Sequence, residues 1–481
     1  MLELCLGLVY LAVSLVVAAY SASFFVLLLF YARHARHAPI APTVPDDVLL
    51  SVTVQLPIYN ERHVVERLLD AVCALDYPRN RLVIQVLDDS TDDTTDLLRR
   101  KVADWQARGI NVSLIRRDNR TGFKAGALAH GLEQCDTDCV AVFDADFVPA
   151  PDFLRRAMPH FHADPQIALV QTRISHLNTA YNPLTRAQAL ALDQHVAVEQ
   201  VARSRGQLPM SMNGTGGIWR RTALVHAGGW QAATLTEDMD LSYRAYLRGW
   251  RFRYLVDVAV PGELPPHLTA YKVQQARWAQ GSTQCLRRHA GALVRADLSL
   301  VQKWMGLLHL GQFAIQPFLL LLMLLTPPLL LTDALSWLPL GPLGIAGMAP
   351  SLIIVLGQAT LYNDWPRRLL WFPALLLLGM GMMPTNSRAV LAGLLARGSH
   401  TFRRTPKFGR TSDPRHGQRT TKRRYAIAPD WTTLGELALA VYAVLGFGVA
   451  VLRWPGMAGY MLMYAVAFGL TAGISLWQHQ S

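Results

Sequence analysis

Four acidic residues stand in pairs directly after apolar runs of the sequence. Asp88 and Asp89 follow "LVIQVL", and Asp144 and Asp146 follow "CVAVF". Carboxylates this close repel one another unless a cation or hydrogen-bond donors lie beside them. Two carboxylates one residue apart can share a hard divalent cation, Mg²⁺ or Mn²⁺, that also takes diphosphate oxygens as ligands. The alternative for a single D-x-D tripeptide is a simple turn at the end of a strand.

Two segments farther along the chain carry side chains suited to chemistry. In "TEDMDLSYRAYLRGW", Glu237 and Asp238 begin an amphipathic helical pattern. Acids there also suit the positive end of a helix dipole, which is the purely structural explanation. "AYKVQQARWAQGS" holds an amide, a cation and an indole close together, at Gln274, Arg277 and Trp278. A guanidinium binds pyrophosphate and an indole stacks on a sugar ring, a combination that an ordinary amphipathic helix seldom needs.

The elements that must position these residues are predicted by hydrophobic periodicity. From residue 47 to 300, short apolar runs alternate with helical patterns, which predicts a soluble α/β domain. The predicted elements are strands at 49–59, 81–89, 111–117 and 139–146, and helices at 61–75 and 91–109. Repetition of strand, helix and strand predicts a mostly parallel, Rossmann-like sheet, which binds ligands at the carboxyl ends of its strands. Both acidic pairs are therefore expected to face one crevice.

The rest of the chain predicts a membrane protein. The 481 residues are 51% hydrophobic, too apolar for one soluble domain. Residues 2–31 form an apolar run longer than the ~20 residues that cross a bilayer. A cleaved signal peptide is the alternative, but the run is too long and no small-residue cleavage site follows. Arg33 and Arg36 come next, and basic flanks stay cytoplasmic, so the α/β domain is expected on the cytoplasmic side of a bacterial inner, plasma or Golgi-type membrane.

Further apolar runs follow the α/β region. Spans are predicted at 310–332, 345–362, 433–452 and 457–478. Between the two pairs, residues 403–424 hold nine Lys and Arg against the single acid Asp413, and this segment is expected in the cytoplasm. Residues 366–396 are therefore interpreted as an interfacial or re-entrant element, which leaves five spans. The predicted domains are 1–46, 47–300, 301–365, 366–430 and 431–481.

Seven ordered motifs between residues 52 and 290 carry a family resemblance. In sequence they are "LPIYNE", "LDDSTD", "DNRTGFKAGAL", "FDADF", "NGTGGIWRR", "TEDMDL" and "QQARW". They resemble the family-2 glycosyltransferases, and among them the cellulose-synthase-like mannan and glucan synthases. The resemblance implies an α/β GT-A domain in the cytoplasm, embedded in an α-helical transmembrane bundle. No nucleic-acid motif accompanies the net charge of +12, which suits anionic lipid and nucleotide diphosphate alike.

The resemblance also implies roles for individual residues. The implied contacts of the nucleotide sugar are Asp88, Asp89, Lys124, Asp144, Asp146, Gln274 and Arg277, with Asp144 and Asp146 also the metal ligands. Asp238 matches the general base, and Trp278, Glu237 and Asn213 are implied contacts of the acceptor.

The segment "FRRTPK" is similar to the gating loop of cellulose synthases, which closes over the nucleotide. Phe402, Thr405 and Lys407 match that loop, and Arg404 stands where the family usually has valine.

The function that these features imply is a metal-dependent, inverting transfer that elongates a β-linked polysaccharide of the β-1,4-glucan, mannan or glucomannan type. The donor would be UDP-glucose or GDP-mannose, and the product would pass through the protein's own spans. One alternative is a non-processive enzyme that makes a β-glycosyl lipid on diacylglycerol or ceramide. Another is a transporter or binding protein with an inactive transferase domain, which the complete set of carboxylates disfavours. The sequence leaves the sugar, partner subunits and oligomeric state open.

Overall fold

A computed structural model describes residues 1–395, 409 and 431–480. The matches to the gating loop, Phe402, Thr405 and Lys407, lie outside the described residues. Their implied role therefore stays a prediction.

A seven-stranded sheet forms the centre of the α/β region. The strands are β1 Val52–Ile58, β2 Leu82–Asp88, β3 Val112–Ile115, β4 Cys139–Val142, β5 Ile167–His176, β6 Gly217–Arg220 and β7 Arg251–Gly262. All four strands predicted from the sequence are present, with shorter bounds. The last of them ends at Val142, so Asp144 and Asp146 lie in the loop just beyond the strand.

The strand order is β3-β2-β1-β4-β6-β5-β7. β1 pairs in parallel with β2 and β4, so the loops after these three strands leave the same edge of the sheet. β6 runs antiparallel to both β4 and β5, while β5 and β7 are parallel. The prediction of a mostly parallel sheet is confirmed. Because β1 lies between β2 and β4, residues that are far apart in the chain meet at its carboxyl end.

Helices cover the sheet and lead to the membrane part. Those of the α/β region are α2 Val65–Cys73, α3 Thr94–Ala107, α4 Phe123–Glu133, α5 Phe153–Ala157, α6 His160–Ala163, α7 Pro183–Gln194, α8 Gln200–Arg205, α9 Arg221–His226, α10 Glu237–Tyr246 and α11 Leu268–Arg295, preceded in the chain by α1 Leu2–His34. The two predicted helices appear as α2 and α3. Valine and leucine side chains of α2, such as Leu68 and Val72, are fully buried against the sheet.

The remaining helices are mostly apolar. They are α12 Leu300–Leu310, α13 Ile315–Leu330, α14 Leu340–Gly347, α15 Ala349–Leu361, α16 Trp365–Arg368, α17 Phe372–Gly381, α18 Met383–Leu395, α19 Trp431–Arg453 and α20 Pro455–Gln480. Within the described residues, four helical segments are long and apolar enough to cross a membrane: Glu3–His34, Leu340–Leu361, Trp431–Arg453 and Pro455–Gln478. The predicted spans near the N-terminus, at 345–362 and at the C-terminal pair coincide with them.

Two bent helix pairs lie in the apolar part of the chain. The predicted span 310–332 overlaps α13, which begins at Ile315 and meets α12 at a bend of 69°. Segment 366–396 contains a second pair, Trp365–Gly381 and Met383–Leu395, bent by 45°. By length and composition each pair fits either one broken span or a re-entrant loop, and the second agrees with the interpretation of 366–396. The interpretation of five spans and the proposed domain boundaries therefore stay predictions.

Candidate active site

A cavity of about 470 Å³ opens at the carboxyl ends of the central strands. That volume lies within the usual range for small-molecule sites. Its lining includes most of the sequence-predicted site residues: Asp89, Lys124, Asp144, Asp146, Asn213, Glu237, Asp238, Gln274, Arg277 and Trp278. The fold thus brings together residues that are up to 189 positions apart in the sequence, from Asp89 to Trp278.

Asp89 lies at one end of the cavity in a nearly buried ion pair. Its two carboxylate oxygens accept hydrogen bonds from Arg117, at 2.8 Å from Nε and 2.6 Å from Nη2. This fork geometry holds the carboxylate in one orientation. Beside it, the guanidinium of Arg120 stacks 3.3 Å from the centre of the Tyr59 ring, and both of these residues line the cavity. The motif "LPIYNE" contains Tyr59, but sequence reasoning assigned neither Tyr59 nor Arg120 a role.

Unlike Asp89, Asp88 does not line the cavity. Its side chain is buried, and its oxygens accept hydrogen bonds from the Ser90 amide at 2.9 Å and the Thr95 hydroxyl at 2.7 Å. Arg116 forms an ion pair with it at 2.9 Å. The expectation that both acids of this pair face one crevice is therefore wrong for Asp88, because successive side chains at a strand end point to opposite sides. The hydrogen bonds and the ion pair of Asp88 thus stabilise the loop after β2.

Lys124 connects three parts of the site. Its ammonium lies 2.7 Å from Asp144 Oδ1, 3.5 Å from Glu237 Oε1 and 2.8 Å from the carbonyl oxygen of Gly214. Burial alone would lower the pKa of this amine, but the carboxylates of Asp144, Glu237 and Asp238 outweigh it and raise the pKa above the ordinary value. Lys124 therefore stays cationic, and its charge offsets the repulsion among the surrounding acids.

Asp238 lies in the first turn of α10, next to this cluster. Its Oδ1 accepts the amide hydrogen of Met239 at 2.8 Å. Its Oδ2 approaches the backbone so closely that a methyl group added at Gly214 would lie 3.1 Å away, and Gly214 has the positive φ of +75°. Burial and the adjacent Glu237 raise the pKa of the Asp238 carboxyl to about 7. A carboxylate with that pKa is well matched to accept a proton at neutral pH.

The raised pKa of Asp238 predicts a pH dependence of transfer. As pH falls through about 7, the carboxyl becomes protonated and can no longer accept a proton. We therefore expect kcat/KM for transfer to fall about tenfold for each pH unit on the acid side of that value. The Glu237→Gln variant lacks a negative charge that raises the pKa of Asp238. In this variant the fall in kcat/KM should therefore begin at a lower pH than in the wild type. A rate profile that is flat down to pH about 5 would contradict this assignment.

Asp144 and Asp146 supply the oxygens available for a divalent cation. Asp144 faces Lys124 as described, and its amide donates to the Thr215 hydroxyl at 3.1 Å. Asp146 is 3% exposed, and its Oδ2 accepts the amide hydrogen of Glu263 at 3.2 Å. Among the described residues, no group of three or more His, Cys, Asp or Glu is arranged to hold a metal ion. Two carboxylates fit a Mg²⁺ or Mn²⁺ ion that takes its other ligands from a substrate diphosphate and water.

Helix α11 forms the opposite side of the cavity. Gln274, Arg277 and Trp278 all line it, and all three side chains are half-buried. The helix is 28 residues long and continues toward the apolar helices, where Lys272 forms a buried ion pair with Glu436 of α19 at 2.7 Å. These three cavity-lining residues are thus carried by an element that also packs against the apolar helices.

The structure adds residues to the site that the sequence motifs did not reveal. His195 and Glu199 line the cavity, and His195 Nδ1 lies 2.8 Å from Glu199 Oε2. Arg203 and His195 hold the pKa of the Glu199 carboxyl well below its ordinary value, outweighing the opposite effect of burial. The spacing of four residues between histidine and acid was a helical signal for this pair, although such pairs are common.

One described residue of the basic segment lies close to the site. Gly409 has a φ of +65°, and a methyl group added to it would lie 2.7 Å from the carbonyl oxygen of His63. His63 follows Glu61, which lines the cavity. This contact places Gly409 against the loop after β1.

Comparison with known proteins now gives the family. Residues 50–281 match the family described as "Glycosyltransferase like family 2". A relative named "Probable glucomannan 4-beta-mannosyltransferase 7" from Oryza sativa subsp. japonica is 37% identical over 403 residues, which cover 82% of this chain and 67% of that protein. The chain belongs to the family-2 glycosyltransferases.

A second relative and one solved structure show how far the similarity in sequence and in fold extends. "Glucomannan 4-beta-mannosyltransferase 7" from Arabidopsis thaliana is 45% identical over 260 residues, 53% of this chain and 46% of that protein. The chain thus spans about half the length of that curated relative. "Mannosyltransferase PcManGT from Pyrobaculum calidifontis in complex with GDP-Man and Mn2+" aligns with a TM-score of 0.53 at 23% identity, covering 80% of this chain and 99% of that one. The structural likeness shows the GT-A fold.

Proposed function

We propose that this chain is a membrane-integrated, inverting mannosyltransferase that elongates a β-linked polysaccharide of the mannan or glucomannan type from GDP-mannose. The observation that carries the proposal is one continuous cavity that holds the acids after β2 and β4, the base candidate Asp238 and the indole of Trp278. A donor and a sugar acceptor can therefore meet at one carboxylate. The names of the relatives, glucomannan 4-beta-mannosyltransferases, support the choice of sugar and of polymer.

Each side chain has a separate role in the proposed transfer, which depends on its position in the cavity. Asp238 accepts the proton of the acceptor hydroxyl as its oxygen attacks the anomeric carbon of the donor. The diphosphate leaves from the opposite face, so a single displacement converts an α-linked donor into a β-linked product. Lys124 and Arg277 stabilise the charge that develops on the diphosphate. A divalent cation on Asp144 and Asp146 would act as a Lewis acid toward the same group.

The acceptor side is proposed to bind a chain rather than a single small molecule. Trp278 offers an aromatic face for a sugar ring, and α11 continues from the cavity toward the apolar helices. The basic segment after α18 favours a cytoplasmic catalytic domain by the positive-inside rule. By the same resemblance, the gating loop at 402–407 would close over the nucleotide.

The deciding experiment supplies purified, full-length protein with labelled GDP-mannose and, separately, labelled UDP-glucose. We expect consumption of GDP-mannose and a high-mass glycan that a β-1,4-mannanase degrades. Consumption of UDP-glucose alone would refute the choice of sugar. A product consisting only of lipid with one sugar, extractable into organic solvent even at saturating donor, would replace the polymer proposal with the glycolipid alternative.

Asp146→Asn tests the metal part of the proposal. The oxygen of the asparagine side chain can still accept the backbone amide hydrogen of Glu263. An uncharged amide oxygen is a much weaker ligand for a hard cation than a carboxylate, so transfer should fall by at least about 100-fold. The wild type should lose transfer in excess chelator and regain it with added Mn²⁺ or Mg²⁺. Calorimetric titration of the nucleotide diphosphate should show a Mn²⁺-dependent gain in affinity that the variant lacks. Undiminished turnover of the wild type in excess chelator would be inconsistent with a metal at this pair.

A further inference from the structure

A second cavity, of about 410 Å³, lies where the chain passes from α1 into the α/β region. One wall is the linker after α1, between Pro39 and Val44, and the other walls come from α5, α6, α8 and β7. This cavity shares no lining residue with the candidate active site. It therefore binds no part of the donor or the acceptor in the proposed transfer.

The cavity lies beside the end of the first candidate span. Arg205, which lines the cavity, donates a hydrogen bond from its guanidinium to the carbonyl oxygen of Ala35, the residue directly after α1. The next residue, Gly206, lies against the ring of Phe30 in the last turns of α1. Since Glu3–His34 is long and apolar enough to cross a membrane, the Arg205 side of the cavity lies where this helix would leave the bilayer.

The charges of the lining are mostly positive. They come from three arginines and one acid: Arg155, Arg156, Arg205 and Asp257. Ion pairs with Asp46 at 2.6 Å and Asp76 at 2.8 Å balance the charge of Arg155. Arg156 is less well paired, because its nearest carboxylate, Asp152, is 3.8 Å away and both side chains are exposed.

Arg205 is the more deeply buried of the two remaining cations. Within the part of the chain that the structure describes, no carboxylate forms an ion pair with it. Burial lowers the pKa of its guanidinium, and the charge of Asp257 offsets only part of that effect. Arg156 and Arg205 are therefore both available to an anionic ligand.

Two polar atoms of the lining are buried without a hydrogen-bond partner in the described residues. They are Nε of Arg205 and Nδ1 of His160, a residue that is only 3% exposed. Burial and the charge of Arg253 lower the pKa of His160 to about 4, so its imidazole is neutral at neutral pH and can donate from one nitrogen. Unpaired buried donors are costly, so these two atoms indicate a ligand with hydrogen-bond acceptors.

The rest of the lining is largely apolar. Pro42 and Val44 of the linker contribute to it, as do Leu255 and Val258 of β7. The volume is in the usual range for small-molecule sites and is larger than a phosphate ion needs. A ligand that matches both parts of the cavity has an anionic group and an apolar portion, as a phospholipid does.

We propose that this cavity binds the phosphate group of an anionic membrane phospholipid, with Arg156, Arg205 and His160 as hydrogen-bond donors to the phosphate oxygens. Arginine binds phosphate through charge-assisted hydrogen bonds, and basic pockets beside membrane helices bind anionic head groups. A free phosphate ion offers the same oxygens without the apolar portion. The bound lipid would contact both the linker and the α/β region, and so would stabilise the attachment of the catalytic domain to the first candidate span.

The test measures the midpoint of thermal unfolding of the full-length protein in a non-ionic detergent at constant ionic strength. Short-chain phosphatidylglycerol, short-chain phosphatidylcholine and inorganic phosphate are added separately. A ligand that binds the folded protein raises the midpoint, and the concentration dependence gives its apparent affinity. We expect phosphatidylglycerol to bind at least about tenfold more tightly than the other two, because phosphatidylcholine adds a cationic group and inorganic phosphate lacks the apolar portion.

Two variants locate the binding. Arg156→Gln removes one exposed charge, and His160→Phe keeps an aromatic ring without its nitrogen atoms. Each should weaken the apparent affinity for phosphatidylglycerol by about tenfold. Without lipid, His160→Phe should unfold at the wild-type temperature or above it, since an apolar ring replaces an unpartnered polar one. Arg100→Gln, at an exposed arginine of α3 that does not line the cavity, is the matched control and should bind lipid like the wild type.

Three results would overturn the inference. If inorganic phosphate stabilised the protein as well as phosphatidylglycerol does, the ligand would be a free anion and not a lipid. If Arg100→Gln weakened binding as much as the cavity variants, the lipid would be attracted only by the overall positive charge. If both cavity variants kept the wild-type affinity, the lipid would bind elsewhere. The readout is unfolding, so each of these results leaves the proposed transfer reaction standing.

Discussion

Asp238→Asn is expected to lower the rate of transfer by about 1,000-fold or more while nucleotide binding persists. The asparagine oxygen can still accept the Met239 amide hydrogen that Asp238 accepts at 2.8 Å, so the first turn of α10 keeps its bond. The amide cannot take a proton from the acceptor hydroxyl. It also removes one negative charge from a site that already holds Glu237 and Asp144, and folding should not suffer.

Two measurements check this result. The rate of transfer from GDP-mannose gives the loss of activity, and calorimetric titration of the nucleotide diphosphate gives the affinity. Asp96→Asn is the matched control, since Asp96 lies on the surface in an ion pair with Arg99, with 73% of its side chain exposed. If the Asp238 variant lost nucleotide affinity and transfer in parallel, the residue would be a binding group instead of the base.

Lys272→Met is expected to lower the free energy of unfolding by about 3–5 kcal/mol. The Lys272 ammonium lies 2.7 Å from Glu436 Oε2 and 2.8 Å from the Ser475 hydroxyl oxygen, and Glu436 is fully buried. These contacts join α11 to both helices of the C-terminal pair. Methionine fills a similar volume but takes the ammonium away from the buried carboxylate, so the attraction that Lys272 sets against the desolvation cost of that charge is lost.

The double variant Lys272→Met with Glu436→Gln separates charge from packing. It removes both charges, and most of the lost stability should return. The readout is the midpoint of thermal unfolding of the detergent-solubilised protein. A single Lys272→Met variant as stable as the wild type would show that the pair contributes little. A double variant less stable than the single one would show that Glu436 has a stronger role with other partners.

Many residues of the candidate active site could be predicted from the sequence, because the patterns that indicate them lie within short segments. Short apolar runs with helical patterns between them predicted β1, β2, β3 and β4, and the mostly parallel sheet followed from the alternation of strand and helix. Asp144 and Asp146 were placed at the end of a strand, and Asp238 at the start of a helix, by their immediate neighbours. Ordered motifs then gave the family, which the comparisons confirm.

Other features depend on which distant segments meet. Asp88 and Asp89 look alike in the sequence, yet only Asp89 lines the cavity, because the backbone at the end of β2 turns one carboxylate toward Arg116. Gly214 lies 90 residues after Lys124, and the hydrogen bond between them exists because the sheet brings the loop before β6 beside α4.

The sequence by itself determined the kinds of element, the chemistry of the acids and the family, since each of these rests on residue types within a short window. Only the tertiary structure decided which charged side chains lie close together and how they shift one another's pKa. Burial and the neighbouring carboxylates of Glu237 and Asp144 raise the pKa of Asp238 to about 7, and the ammonium of Lys124 offsets only part of that effect. The π-helical turn His195–Glu199 brings His195 Nε2 to 3.4 Å from Asn213 Oδ1, eighteen residues away. Burial and the proximity of charges are properties of the folded chain, so no local pattern contains them.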